Sequence, residues 1–361
     1  MRLTVGDVLA QLRSEGLGTP AADPLARAAL ARSQADDAPW YLRAAVGFGA
    51  WIATAFLLGF LFTLVEPEDL SSIVVGLVLL PLAVWLRREA AGEFLRHGAV
   101  ALALAGQGLV MAGVGEMTDS GTWVGAVGGL LSVALIWLMP DRIHRFLATV
   151  VGSISALVAV GAFRESVAYE VVTLALVALT GYVWRVGLGH RSDAAAEMLE
   201  PVGYGVIVAL FLALSFSGAT SAALIGELGE SERIPHLGPL TTIGITAALG
   251  ALGLAILDEH GVPRQSGLTF GTLAGVAALG LGALYSPGVV AGAAVLALAF
   301  DRRNRVLMGL GIVGLFVFGS MYYYSLALTL LEKSGVLIGT GLLFLAVRSR
   351  LPRAPDPETT R

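Results

Sequence analysis

Residues 122–163 read TWVGAVGGLLSVALIWLMPDRIHRFLATVVGSISALVAVGAF. Two apolar runs, Thr122–Met139 and Phe146–Phe163, flank one short turn, Asp141-Arg-Ile-His-Arg145, and neither run contains an ionisable side chain. Each is long enough for a helix to cross a hydrocarbon core, which needs about 20 residues with a range of about 17–25. Where no water can satisfy peptide groups, a helix satisfies them within the segment. The stretch therefore reads as a transmembrane hairpin whose turn is held on one side by guanidinium groups.

The same unit repeats along the chain. Twelve candidate spans emerge: Ala44–Val65, Leu70–Leu86, Phe94–Gly115, Thr122–Met139, Phe146–Phe163, Val167–Trp184, Pro201–Phe216, Leu237–Leu257, Ser266–Tyr285, Pro287–Phe300, Val306–Tyr323 and Leu326–Val347. The tenth, at 14 residues, is the shortest. The expected fold is all-α, a membrane bundle of about twelve helices, with residues 1–38 a cytoplasmic helical segment, 39–347 the transmembrane domain and 348–361 a disordered cytoplasmic tail. Val5, Val8, Leu9 and Leu12 fall on one helical stripe, and residues 1–37 lack the apolar core of a signal peptide.

Every second connection is basic. Arg87, Arg88 and Arg96, then Arg142 and Arg145, Arg185 and Arg191, Arg264, and Arg302, Arg303 and Arg305 all fall on one side of the alternation, together with the arginines of both terminal segments. Only Arg164 and Arg233 fall on the other, whose loops carry Glu66, Glu68, Asp69, Glu116, Asp119, Glu165, Glu227, Glu230 and Glu232. Positive charge stays in the cytoplasm, so both termini are expected inside, in the inner membrane of a bacterium. Trp85 and Trp184 at inner ends, and Tyr322–Tyr324 at an outer end, fit the aromatic belts of a bilayer. Gly271–Gly275, Gly288–Gly292 and Gly335–Gly339 have the spacing that permits close helix approach.

Composition closes other routes. Hydrophobic residues make up 56% and charged residues 14% of the 361, against about 25% charged in soluble domains. There is no cysteine, so neither disulfides nor thiolate metal sites are available. The one lysine, Lys333, follows no glycine loop, which excludes a P-loop. The five histidines sit at loop edges without metal-ligand spacing; Glu227, Glu230, Glu232 and His236 read as a solvated acidic loop. No catalytic constellation, cofactor or nucleic-acid partner is expected, and the chain does not read as an enzyme.

Asp141-Arg-Ile-His-Arg145-Phe-Leu147 parallels Asp301-Arg-Arg-Asn-Arg305-Val-Leu307 at an offset of 160 residues, six spans apart. This suggests a 6+6 parallel repeat, a known transporter plan, although Leu/Ala/Gly stretches match one another easily. Ionisable groups at membrane depth default to functional candidates. Glu170 lies one turn into the sixth span; Glu332 and Lys333 lie one to two turns into the twelfth. If the halves correspond, Lys333 pairs with Glu170 near Arg164, Ser334 and Tyr322, Tyr323 and Tyr324, in a polar cluster that either opens to the outer face or simply locks two helices. Gln107, the deepest amide, either bridges helices or lines a pathway.

Pro39-Trp-Tyr41, Gly49-Ala-Trp51, Phe56-Leu-Leu-Gly-Phe60, Leu104-Ala-Gly-Gln107, Tyr322-Tyr-Tyr324 and Thr329-Leu-Leu-Glu-Lys-Ser334 together resemble an uncharacterised bacterial membrane family, a domain of unknown function. Its members are often encoded beside a small GDYXXLXY-domain membrane protein. The resemblance implies a polytopic inner-membrane protein acting with that neighbour, and brings no substrate. Two functions follow: a transporter or permease for a small solute or ion, or a non-transporting subunit or scaffold working with a GDYXXLXY-type partner. A transporter should contain a polar cavity reaching the midplane, lined by Gln107 or by the Glu170–Lys333 cluster, and a scaffold a dry bundle.

Overall fold

A computed structural model of the chain describes residues 48–49, 52–56, 59, 69–89, 92–161, 166–187, 193–216, 239–284, 286–325, 331, 334 and 338. Among them there is helix and no strand. The helices are α1 (Asp69–Glu89), α2 (Glu93–Thr118), α3 (Gly121–Leu138), α4 (Arg142–Gly161), α5 (Ser166–Gly181, continued by a π-helical turn, Tyr182–Gly187), α6 (Asp193–Phe216), α7 (Pro239–Glu259), α8 (Gly267–Gly282), α9 (Pro287–Arg302) and α10 (Arg305–Ser325). They coincide with spans two to eleven of the sequence reading. Residues 1–38, most of the first span and the twelfth, Arg164, the loop with Glu227 to His236, and residues 348–361 lie outside the described residues.

Eight of these helices are long and apolar enough to cross a membrane, and α8 is a shorter apolar helix. Large apolar side chains stand exposed along them, among them Leu130, Trp137, Leu281 and Phe316. A water-soluble monomer does not present so much contiguous apolar surface; lipid covers it at no cost. The chain is a multi-pass membrane protein.

With hydrocarbon outside, burying leucine against leucine gains little, and helices associate where backbones come close enough for dispersion and polar contacts. In the unit ending at Val110, α1 and α2 cross glycine on glycine, since a Cβ on Gly76 would stand 2.6 Å from the Gly106 carbonyl oxygen. In the unit from Met111 onward, α3 and α4 form the tightest hairpin and α9 and α10 the next. A Cβ on Gly125 of α3 would lie 2.4 Å from the Ser155 carbonyl oxygen and the Ala159 amide of α4. Gly288 and Gly292 press α9 onto Phe318 and Leu315 of α10. Gly271 and Gly275, by contrast, face open space, so their spacing does not mark a described helix contact.

The turns show how the chain reverses. Asp141 Oδ1 accepts from the His144 amide at 2.9 Å, capping α4. The motif partner Asp301 does something else: it lies in the last turn of α9, and Asn304 caps α10 by accepting from the Val306 and Leu307 amides at 2.9 and 3.1 Å. Arg303 bridges the two helices in the left-handed region at φ 50°. The offset of 160 therefore does not superpose the caps. Helix α6 also begins at Asp193, eight residues before the expected Pro201, and this extension carries Glu197 and Glu200.

Gly125→Leu should destabilise the hairpin by about 3 kcal/mol or more, because overpacking here strikes backbone. Gly129→Leu, where a Cβ meets nothing within 4 Å, should leave the melting temperature in detergent near wild type. Equal melting of the two variants would refute the packing assignment.

Candidate functional site

In the unit from Met111 onward, α5, α6, α9 and α7 form a closed ring, each touching the next and α7 returning to α5. Among these four helices lies a half-open cavity of about 310 Å³, with Ala178, Gly181 and Ala251 of its lining exposed. Its walls are Val177, Leu210, Ile245, Ala248, Ala251, Ala291, Ala294 and Leu298, with neighbours of the same kind. The space exists because α5, α7 and α9 present alanines, among them Ala178, Ala248 and Ala294, where larger residues would fill it, while α6 contributes Leu210. The polar side chains of the lining are Thr180, whose hydroxyl donates to the Leu176 carbonyl within its own helix at 2.8 Å, and Arg185; the cavity is thus apolar where a polar one was expected, and neither Gln107 nor Glu170 lines it.

Arg185 lines one end of the cavity. It stands in the π-helical turn, where one extra residue rotates the chain relative to α-helical register; such turns cluster at functional sites. Its Nη1 donates to Asp301 Oδ2 at 3.3 Å and its Nη2 pairs with Glu259, tying α5 to α9 and α7. Arg302 Nε lies 3.1 Å from the same Asp301 oxygen, and its Nη2 donates to the Arg185 carbonyl at 3.4 Å, one of the groups a helix end leaves open. Two guanidinium groups and two carboxylates thus form an electrically neutral latch. Asp301 is the buried member, with 5% of its side chain exposed against 55% for Glu259.

Around the latch a second network fixes the turn. Asn304 Nδ2 donates to the Tyr204 hydroxyl at 2.8 Å, and that hydroxyl makes a long contact with Glu200. Trp184 is 3% exposed and packs edge-on against Tyr204, their ring centroids 5.0 Å apart. Gly203 makes room for it, since a Cβ there would lie 2.8 Å from the indole nitrogen. Trp184 is therefore an interior residue and not a headgroup anchor as its position in the sequence suggested, because the π-turn swings it inward. Trp85, by contrast, is 59% exposed. Arg142 pairs with Glu197 of the α6 extension, so the arginines on either side of both hairpin turns gather at one end of this unit. In the connection from α7 to α8, Arg264 forms a two-pronged contact with Asp258, which holds the guanidinium above its usual range.

The expected outer cluster is only partly described. Glu170 is buried on the first turn of α5, seven residues before Val177 of the cavity wall. Tyr322 donates to the Gly282 carbonyl at 2.8 Å, joining α10 to α8, and Tyr323 and Tyr324 stack edge to face. The Ser334 hydroxyl donates to Leu331 within its own segment. Arg164, Glu332 and Lys333 lie outside the described residues, so the Glu170–Lys333 pair does too. Gln107, 1% exposed, belongs to α2 in the preceding unit. Among the described residues no group of three His, Asp or Glu could hold a metal ion. The sequence reading used Arg185 and Arg302 only to orient the chain. The signal it passed over was acidic: Asp301 and Glu259 stand among arginines on the basic side of the alternation.

Asp301→Ala leaves Arg185 partly buried beside a lost counter-charge and should cost roughly 2–4 kcal/mol, whereas Glu259→Ala, removing an exposed partner, should cost under about 1 kcal/mol. Melting curves of the two purified variants check the order; a larger loss for Glu259→Ala would contradict it.

No curated protein and no solved structure matches this chain. One family model does, over residues 39–354, which takes in every helix described above. The chain belongs to that family, described as a domain of unknown function, DUF4401.

Proposed function

We propose that this protein is a transporter or permease that moves a small solute across a bacterial inner membrane, with both termini in the cytoplasm. The observation that carries this reading is the cavity among α5, α6, α7 and α9, lined at one end by Arg185, which is ion-paired to Asp301 and Glu259. The walls of this half-open cavity forgo the contacts a filled core would make, which supports a binding role over a purely structural one. Ion pairs that join helix ends can be exchanged for water at little net change in free energy, because desolvation and attraction nearly cancel. That makes the latch a gate. The gathering of arginine turns at one end, combined with the exclusion of positive charge from the outer face, makes that end cytoplasmic.

A six-plus-six construction accompanies the proposal. The caps Asp141 and Asn304 stand 163 residues apart, and so do the close contacts Gly125 with Ser155 and Gly288 with Phe318. The two tightest hairpins thus correspond at 163, three residues away from the motif offset. The reading includes no catalytic step.

One observation favours a non-transporting subunit acting with a GDYXXLXY-type partner. A groove of about 690 Å³ runs between α7 and α8, floored by Gly250, Ala251, Ala277 and Gly280 and open to the side. Small residues in such a groove would admit a partner helix. Purification from native membranes followed by mass spectrometry decides this alternative: a stoichiometric small membrane protein would favour it.

The absence of cysteine allows a direct test of transport. In sealed vesicles, Ala294→Cys should react slowly with a membrane-impermeant methanethiosulfonate. Adding Asp301→Asn should speed the reaction at least tenfold from the arginine-bearing side. A cavity thiol inert from both faces after the latch is broken would contradict the gate.

A further inference from the structure

We propose that the ring cavity binds a small, neutral, apolar solute, a molecule of about ten carbons; this rests on the transport reading of the same site. Size comes first. A cavity of 150 Å³ lined by aliphatic residues stays dry and accepts benzene, and this one is about 310 Å³. Charge and hydrogen bonding come next. The Thr180 hydroxyl donates to the Leu176 carbonyl, and the Arg185 guanidinium directs its two terminal nitrogens to Asp301 and Glu259. The remaining lining is aliphatic: Val177, Leu210, Ile245, Ala248, Ala294 and Leu298 and their neighbours. An anion or a strongly hydrogen-bonding solute would surrender its hydration to an almost wholly aliphatic wall whose one cation, Arg185, is already balanced by Asp301 and Glu259. A neutral hydrocarbon or aromatic ring surrenders nothing.

Neutral apolar matter in a membrane has two sources, a free solute and the acyl chain of a lipid. The two share one chemistry, and the half-open cavity, whose lining residues Ala178, Gly181 and Ala251 are exposed, admits either. The experiment tells the two sources apart.

Thermal unfolding of the full-length protein in nanodiscs tests the assignment with naphthalene and 2-naphthalenesulfonate as probes. Naphthalene should raise the melting temperature by about 3 °C or more, saturably, and the sulfonate should not. Ala248→Phe and, independently, Ala294→Phe fill the cavity and should abolish the naphthalene shift; two positions guard against one variant failing to fold. Equal stabilisation by the sulfonate would overturn neutrality. Equal naphthalene shifts in wild type and both filled variants would overturn the site, since the probe would then act through the bilayer. Phospholipid that stays bound one per protein through delipidation and is lost in the filled variants would overturn the free solute in favour of an acyl chain. Naphthalene binding with an inert cavity thiol would leave the ligand class standing and remove transport; the reverse would remove the ligand class alone.

Discussion

Every feature of this protein depends on one constraint: hydrocarbon offers no hydrogen bonds. Peptide groups must therefore be satisfied inside each segment, and helices are the result. The same solvent removes the usual reward for apolar contact, so adhesion passes to small residues. Gly76 against Gly106, Gly125 against Ser155 and Gly288 against Phe318 are places where backbones meet, and a single methyl group at any of them would collide.

The constraint also explains where chemistry can reside. Groups that need water or counter-charges collect at the helix ends, and at one end of the second unit they form a continuous set from Arg142 and Glu197 through Tyr204 and Asn304 to Arg185, Asp301 and Glu259. Just inside that set the ring of α5, α6, α7 and α9 leaves a space that alanines hold open. On the proposed transport reading, the ion pairs and the apolar cavity would divide two tasks, closure by charge and accommodation by shape.

The sequence made the helices legible because length and apolarity are local properties, and ten expected spans coincide with described helices. Arginine alternation was legible for the same reason. Packing was not: Gly271–Gly275 and Gly288–Gly292 have identical spacing, yet only the second pair meets a helix, since spacing does not encode which face a neighbour covers. Trp184 misled because a π-turn changes facing without changing composition. The parallel between Asp141 and Asp301 misled because a cap and a last-turn residue can share one local motif. The cavity could not be read at all, as it arises from alanines on three separate helices, α5, α7 and α9, facing Leu210 of a fourth. The latch was half legible, in acidic residues placed among arginines.

Sidedness is the most direct measurement of the whole account. Arg142→Cys, Arg303→Cys and Asp119→Cys, placed singly in the cysteine-free chain and probed with an impermeant maleimide in intact cells and in inverted vesicles, report which face each turn occupies. The account predicts that residues 142 and 303 react only in inverted vesicles and residue 119 only in intact cells. Residues 142 and 303 reacting from opposite faces would contradict it.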